Sequence, residues 1–183
     1  MWSKTRQILK SKLADSLKER VDFHYDVYRT NKCRKVVPWR ERYYEMDVLS
    51  IIVDGDAWFC TNPNFYDYLY GPNKKTEEEV IREMGLVGCE DGWTAPQYVG
   101  KFLGMSIDEA FTNENYFIRL LAVLDSRVGK RRLRPLLDNI ENEPEWFRKW
   151  IRLRCEAEGL CGKTEQQSKV LDNQPIMNNN DES

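Results

Sequence analysis

The feature that most constrains the fold is the segment 116–160, which predicts three helices in succession. Its first part, up to Leu124, is apolar on nearly every side, as in a helix at the centre of a domain. A helix over 130–140 follows after the break at Gly129. The last helix has Pro144 in its first turn and ends at Gly159. This segment therefore predicts a helical C-terminal half with one central buried helix.

The N-terminal part predicts a helix and a small sheet. Apolar residues recur at helical spacing over 2–18, and the pattern then changes to alternation over 21–28, which is typical of a half-buried strand. Two β-rich runs at 48–53 and 56–60 flank Asp54-Gly55, a strong signal for a hairpin with a type I′ turn. We therefore predict an α+β fold, with an N-terminal helix, a small antiparallel sheet with its hairpin at Asp54-Gly55, and the helical half packed on the sheet.

Shorter helices are predicted from capping boxes, in which a hydroxyl residue precedes Glu or Gln by three positions. The pattern occurs at Thr76–Glu79, Thr94–Gln97 and Ser106–Glu109 and predicts helices near 95–103 and 106–111. The aromatic run 65–70 predicts a further short helix. With 183 residues and 41% hydrophobic composition, we predict one α+β domain over 1–161 and a polar, disordered tail over 162–183.

Cysteine usage and hydropathy predict a cytoplasmic protein. No apolar run approaches the roughly 20 residues that span a bilayer, so no membrane association is expected. The cysteines are odd in number and widely spaced, and the single histidine, His24, is far from the last two, which argues against a zinc site. Thiols with a structural role are expected at Cys33, Cys60, Cys89, Cys155 and Cys161.

No grouping of residues predicts a catalytic site, a metal site or a cofactor. Asp22, His24 and Asp26 share one face of the predicted strand and could bind a metal ion or transfer protons. A solvated acidic surface is the favoured interpretation. Asp54 and Asp56 could contribute to a Mg²⁺ site, but turn chemistry explains both.

The candidate functional feature is a basic cluster around the predicted helix break. Ion pairs with Asp125 just before it, and with Asp138, Glu141, Glu143 and Glu145 after it, are the favoured explanation. An acidic protein partner comes second, and nucleic acid, with a contribution from Lys4, Arg6 and Lys12, comes last; the net charge of −2 does not argue for it, so the case for it is local. The candidate partner-binding residues of this basic cluster are Arg127, Lys130, Arg131, Arg132 and Arg134.

The sequence also resembles a family of small uncharacterised bacterial proteins. The segments that carry the resemblance are MWSKT at the start, LADSLKERV, IIVDG, LDSRVGKRRL and LRCEAEGL. It departs from the family pattern at Glu19 and Ser126. The resemblance implies a bacterial, cytoplasmic, single-domain protein with no assigned activity or cofactor.

From these observations we predict a non-enzymatic cytoplasmic protein-binding module, such as an immunity or regulatory protein. The alternatives are an enzyme with a cryptic site, near Asp22 or under the basic cluster, and a nucleic-acid-binding protein that uses residues 127–134. The sequence does not specify the oligomeric state.

Overall fold

The computed structural model describes residues 2–29, 45–61, 76, 79 and 92–161. These residues form an N-terminal helix, a three-stranded antiparallel sheet and a series of C-terminal helices, so the predicted α+β fold is confirmed. Short 3₁₀ turns lie at Asp15–Leu17 and Ile140–Asn142. The elements are α1 Trp2–Lys12, β1 Val21–Arg29, β2 Glu45–Val53, β3 Asp56–Cys60, α2 Ala95–Gly104, α3 Ile107–Phe111, α4 Tyr116–Leu124, α5 Lys130–Asp138 and α6 Glu145–Ala157.

The sheet has the order β1-β2-β3, and the predicted hairpin connects β2 to β3. Asp54 and Gly55 both have positive φ, at 51° and 95°, as a type I′ turn requires. The Arg20 guanidinium binds the Asp54 carboxylate, with Nη2 and Oδ2 2.6 Å apart. Asp54 therefore has two roles, since its backbone adopts the turn conformation and its side chain forms an ion pair with Arg20.

One face of the sheet contributes to a single core with the helices. Phe23, Ile51 and Phe59 are buried on that face, and Phe59 contacts Phe117 of α4 with ring centroids 5.3 Å apart. Helices α2, α3 and α6 pack against α4, and α5 packs against α6. As predicted, α4 is buried on nearly every side, so it forms the centre of the helical half.

The first helix is shorter than predicted, because it ends at Lys12 instead of continuing to residue 18. The backbone after α1 pairs with the backbone after α4. The Ser126 N–H donates to the Lys12 carbonyl at 2.7 Å, and the Ala14 N–H donates to the Leu124 carbonyl at 3.0 Å. This antiparallel bridge replaces the last helical turns and brings the end of α1 next to the basic cluster.

Two of the three predicted capping boxes are confirmed. The side chains and backbones of Ser106 and Glu109 satisfy each other, and Thr76 and Glu79 do the same. The prediction at Thr94 is wrong, since its side chain makes no capping hydrogen bond. Thr94 has αR backbone angles, φ −82° and ψ −16°, whereas a capping residue is normally extended.

A close backbone contact at Gly92 joins the start of the helical half to β2. A Cβ atom added at Gly92 would lie 1.8 Å from the Asp47 carbonyl oxygen, so only glycine fits without a backbone shift. We expect Gly92→Ala to lower the free energy of unfolding by about 2 kcal/mol, the usual cost of overpacking. Gly100→Ala is the matched control, because an added Cβ there meets nothing within 4 Å inside α2.

Gly100→Ala should raise the free energy of unfolding by about 0.5–1 kcal/mol through helix propensity. Denaturant unfolding of both variants tests the contact. Equal effects of the two alanines would show that Gly92 does not pack against β2. The predicted loop at 30–42, the aromatic run 65–70, Cys33, Cys89 and the tail 162–183 lie outside the described residues.

Candidate functional site

The basic cluster lies in the loop between α4 and α5 and in the first turns of α5. The structure divides it into two groups of side chains. Arg127 and Arg132 bind acceptors of the chain itself, whereas Lys130, Arg131 and Arg134 are exposed and bind none among the described residues. We call the latter three residues the outward surface. Each group has a different physical role, although the sequence places all five residues together.

Arg127 is bound to the buried carboxylate of Asp125. Its Nε lies 3.0 Å from Oδ1 and its Nη2 lies 2.8 Å from Oδ2, and its backbone N–H also donates to Oδ1 at 2.8 Å. The Asp125 side chain is only 1% exposed. Hydrogen bonding to Asp125 raises the pKa of Arg127 above its usual value. A buried carboxylate of this kind requires its partner, so Arg127 contributes to the fold.

Arg132 connects α5 to two other parts of the chain. Its Nη2 pairs with the Asp108 carboxylate in the first turn of α3, and its Nη1 donates to the Arg127 carbonyl at 3.2 Å. Asp108 was not among the acidic residues predicted to neutralise the cluster. Its position near the start of α3 places it opposite α5 once both helices pack around the core.

A third arginine, which the sequence analysis did not single out, completes this arrangement. Arg154 of α6 is 2% exposed. Its Nη2 donates to the Val128 carbonyl at 3.0 Å, and its Nη1 donates to Ser16 Oγ at 3.2 Å and pairs with the Glu158 carboxylate. Burial tends to raise the pKa of Glu158, but hydrogen bonds from Arg154 and Ser16 outweigh it, so that pKa is lowered.

Together, Arg127, Arg132 and Arg154 hold the loop 125–129 from three sides. Their acceptors are the Asp125 carboxylate and the carbonyl oxygens of Arg127 and Val128. Because arginine presents several donors in a fixed plane, each side chain restrains both position and orientation. The start of α5 is therefore fixed relative to α3 and α6.

The outward surface has no comparable partners. Among the described residues, Lys130, Arg131 and Arg134 make no hydrogen bond or salt bridge through their side chains; Lys130 has only a longer-range attraction to Glu158. Lys130 and Arg134 are four residues apart, so both lie on one side of α5. The helix begins after Gly129 with no side-chain cap and no acidic residue in its first turn.

The acidic stretch after the cluster binds other arginines. Glu143 pairs with Arg119 at 2.6 Å, and Glu141 pairs with Arg148. The expectation that these two carboxylates neutralise the basic cluster is therefore wrong. The physical reason is geometric, because the chain turns at Ile140–Asn142 and directs both carboxylates to α4 and α6. Asp125, the acidic residue predicted just before the cluster, does bind it, through Arg127.

The other candidate site, Asp22, His24 and Asp26 on β1, contains one carboxylate that is bound by cations of α1. Asp22 accepts hydrogen bonds from the Arg6 guanidinium, and Lys10 Nζ lies 3.7 Å away. The hydrogen bond from Arg6 is the main reason that the pKa of Asp22 is lowered to about 2. His24 and Asp26 are exposed, and His24 Nε2 is 3.8 Å from the Asp22 carboxylate. In the residues that the structure describes, no group of three or more His, Cys, Asp or Glu residues is placed to hold a metal ion.

Comparison with known proteins identifies the family. A family model described as the SF0329 protein family matches residues 1–155 of the 183-residue chain. The chain belongs to the SF0329 protein family. No curated protein and no solved structure matches it. Membership of a family is therefore confirmed, whereas the bacterial origin and the particular shared segments stay predictions.

The family model covers the whole basic cluster and Arg154 of this SF0329 family member. Glu158, which pairs with Arg154, lies just beyond it. In the part of the chain that the structure describes, no helix has the length and apolar character needed to cross a membrane.

Proposed function

We propose that this protein is a non-enzymatic cytoplasmic binding protein that engages an acidic protein partner through Lys130, Arg131 and Arg134. The observation that carries the proposal is the unpaired state of this outward surface, among the described residues, beside a loop to which three other arginines are hydrogen-bonded. An immunity or regulatory protein, which acts by occupying its partner, fits a surface of this kind.

The outward surface is electrostatically unfavourable in the isolated chain. The amino end of a helix carries partial positive charge, and a cation there is unfavourable by about 0.3–1 kcal/mol. Lys130 and Arg131 occupy the first two positions of α5, and Lys130 also repels Arg134 four residues later. Local conflicts of this kind are typical of functional positions. Carboxylates of a partner would remove the conflict.

The rigid support of the surface favours tight binding. Ordering a mobile loop on association lowers affinity, and the loop 125–129 is already held by Arg127, Arg132 and Arg154. Arg131 and Arg134 also have the planar donor geometry that binds carboxylates through two parallel hydrogen bonds. The surface is therefore suited to acidic side chains presented by another protein.

A protein partner is favoured over nucleic acid because the surface is small. Contacts with phosphate groups supply much of the affinity of DNA-binding proteins, which can make about 6–10 of them. The outward surface supplies three cations, and Arg6, one of the residues considered as an extension of it, is bound to Asp22. The net charge of −2 adds no long-range attraction to polyanions.

Affinity capture with matched variants tests the proposal. The outward variant is Lys130→Gln/Arg131→Gln/Arg134→Gln, and the control variant is Lys4→Gln/Lys101→Gln/Arg152→Gln, which removes the same charge from exposed positions elsewhere. We expect the outward variant to bind the captured and purified partner at least about 100-fold more weakly than wild type, since each of the three charge pairs at an interface contributes about 1 kcal/mol or more. The control variant should bind like wild type.

Equal binding by the outward and control variants would contradict the proposal. Nuclease treatment before capture distinguishes the nucleic-acid alternative. If nuclease abolishes retention, and a single-stranded oligonucleotide restores it with steep dependence on salt, the partner is nucleic acid.

A further inference from the structure

The carboxyl end of α6 brings two cysteines into the same part of the core. Gly159 has φ 68°, the Gly159 N–H donates to the Glu156 carbonyl at 2.9 Å, and the Leu160 N–H donates to the Cys155 carbonyl at 2.8 Å. These two bonds form a Schellman motif, in which the chain reverses over the last helical turn. Cys161 follows immediately and packs against the core that contains Cys155, close enough for the two thiols to interact electrostatically.

The two thiols differ in exposure. Cys155 is fully buried in the core, and Cys161 is partly exposed while packing against that core. Both are reduced thiols in the structure. Burial, together with the neighbouring Cys161 sulfur, raises the pKa of Cys155 to about 11. Cys161 is therefore the thiol that a reagent in solution reaches first, and Cys155 reacts within the protein.

We propose that Cys155 and Cys161 form a reversible disulfide by exchange with a small-molecule disulfide such as oxidised glutathione. The Cys161 thiolate attacks one sulfur of the small disulfide and releases one glutathione thiolate. Opening of the last turn of α6 then lets Cys155 lose its proton to solvent, and its thiolate attacks the Cys161 sulfur of the mixed disulfide and expels the second glutathione as a thiolate. Two protein thiols are oxidised, and one small disulfide is reduced to two thiols.

The disulfide closes a ring over residues 155–161 at the end of α6. The same turn carries Arg154 and Glu158, the pair that holds the Val128 carbonyl next to α5. The ring therefore ties down the helix end that supports the loop 125–129. The inference does not depend on the proposed partner.

The test treats the full chain with oxidised glutathione and maps every cysteine by mass spectrometry after digestion without reduction. We expect a peptide that links Cys155 to Cys161, with loss of two thiols and no glutathione remaining on Cys161. Cys60, an exposed cysteine on β3, is the internal control and should at most carry glutathione. In Cys155→Ala, the glutathione adduct on Cys161 should persist.

Persistence of the adduct on Cys161 in the wild-type protein would overturn the proposal, as would a disulfide between Cys161 and any other cysteine. Cys161→Ala provides the second variant if Cys155→Ala does not fold. In it Cys155 should stay a thiol that is alkylated only after unfolding, and glutathione on Cys155 of the folded variant would contradict the order of attack.

Discussion

Arg154→Met is expected to lower the free energy of unfolding by about 3–4 kcal/mol, because it removes the charged partner from a largely buried group of polar atoms. The Glu158 carboxylate would lose its ion pair, and the Val128 carbonyl would lose its donor. An unsatisfied buried acceptor alone is unfavourable by about 1–3 kcal/mol. Methionine retains the apolar stem, so the change reports on polar contacts more than on packing.

Denaturant unfolding measures this loss, and Arg152→Met on the same helix is its control. Arg152 is exposed and its nearest carboxylate, on Glu141, is 4.0 Å away, so its replacement should change stability by less than about 0.5 kcal/mol. The double variant Arg154→Met/Glu158→Gln should recover part of the loss, since it also removes the unpaired carboxylate. A loss below about 1 kcal/mol in Arg154→Met would show that the arginine does not hold the loop.

Arg127→Glu is the second substitution with a large expected effect, a decrease of about 3 kcal/mol in the free energy of unfolding. It replaces the partner of Asp125 by a like charge, although the Asp125 side chain is only 1% exposed. The Arg127 side chain is itself 37% exposed, so the expected loss of stability is at the lower end of the range for buried ion pairs.

The pH dependence of Arg127→Glu gives an independent check. Protonating one of the two adjacent carboxyl groups relieves their repulsion, so the difference from wild type should become smaller as pH falls below about 5. Unfolding followed at several pH values measures this difference. A difference that is constant with pH would indicate that the substitution acts through packing and not through charge.

Local signals explain why much of the fold was predictable. Asp54-Gly55 specifies its turn through two positive φ angles, and Ser106 and Glu109 satisfy each other within one helical turn. The central helix α4 was predictable because its composition alone requires burial. The end of α1 was not predictable from local sequence, because it depends on pairing with residues 124–126, more than 100 positions away.

The position of the basic cluster was predictable from the sequence. Which of its cations bind other parts of the chain, and which stay exposed, was not. Which cation is engaged depends on distant partners, such as Asp108 for Arg132, 24 residues away. Arg154 carried a signal that could have revealed it. It follows Trp150 by four residues and Ile151 by three, so it continues the apolar stripe of α6 and points into the core.

The free energy of unfolding of Lys130→Glu/Arg131→Glu shows whether the outward surface is available to a partner or is used by the fold. We expect an increase of up to about 1 kcal/mol, since acidic residues suit the amino end of α5 and a carboxylate at position 130 would attract Arg134. These gains should exceed the loss of the longer-range attraction between Lys130 and Glu158, which is weak at an exposed position. A decrease of about 1 kcal/mol or more would show that the chain itself uses these cations. That result would contradict the assignment of Lys130, Arg131 and Arg134 as a binding surface.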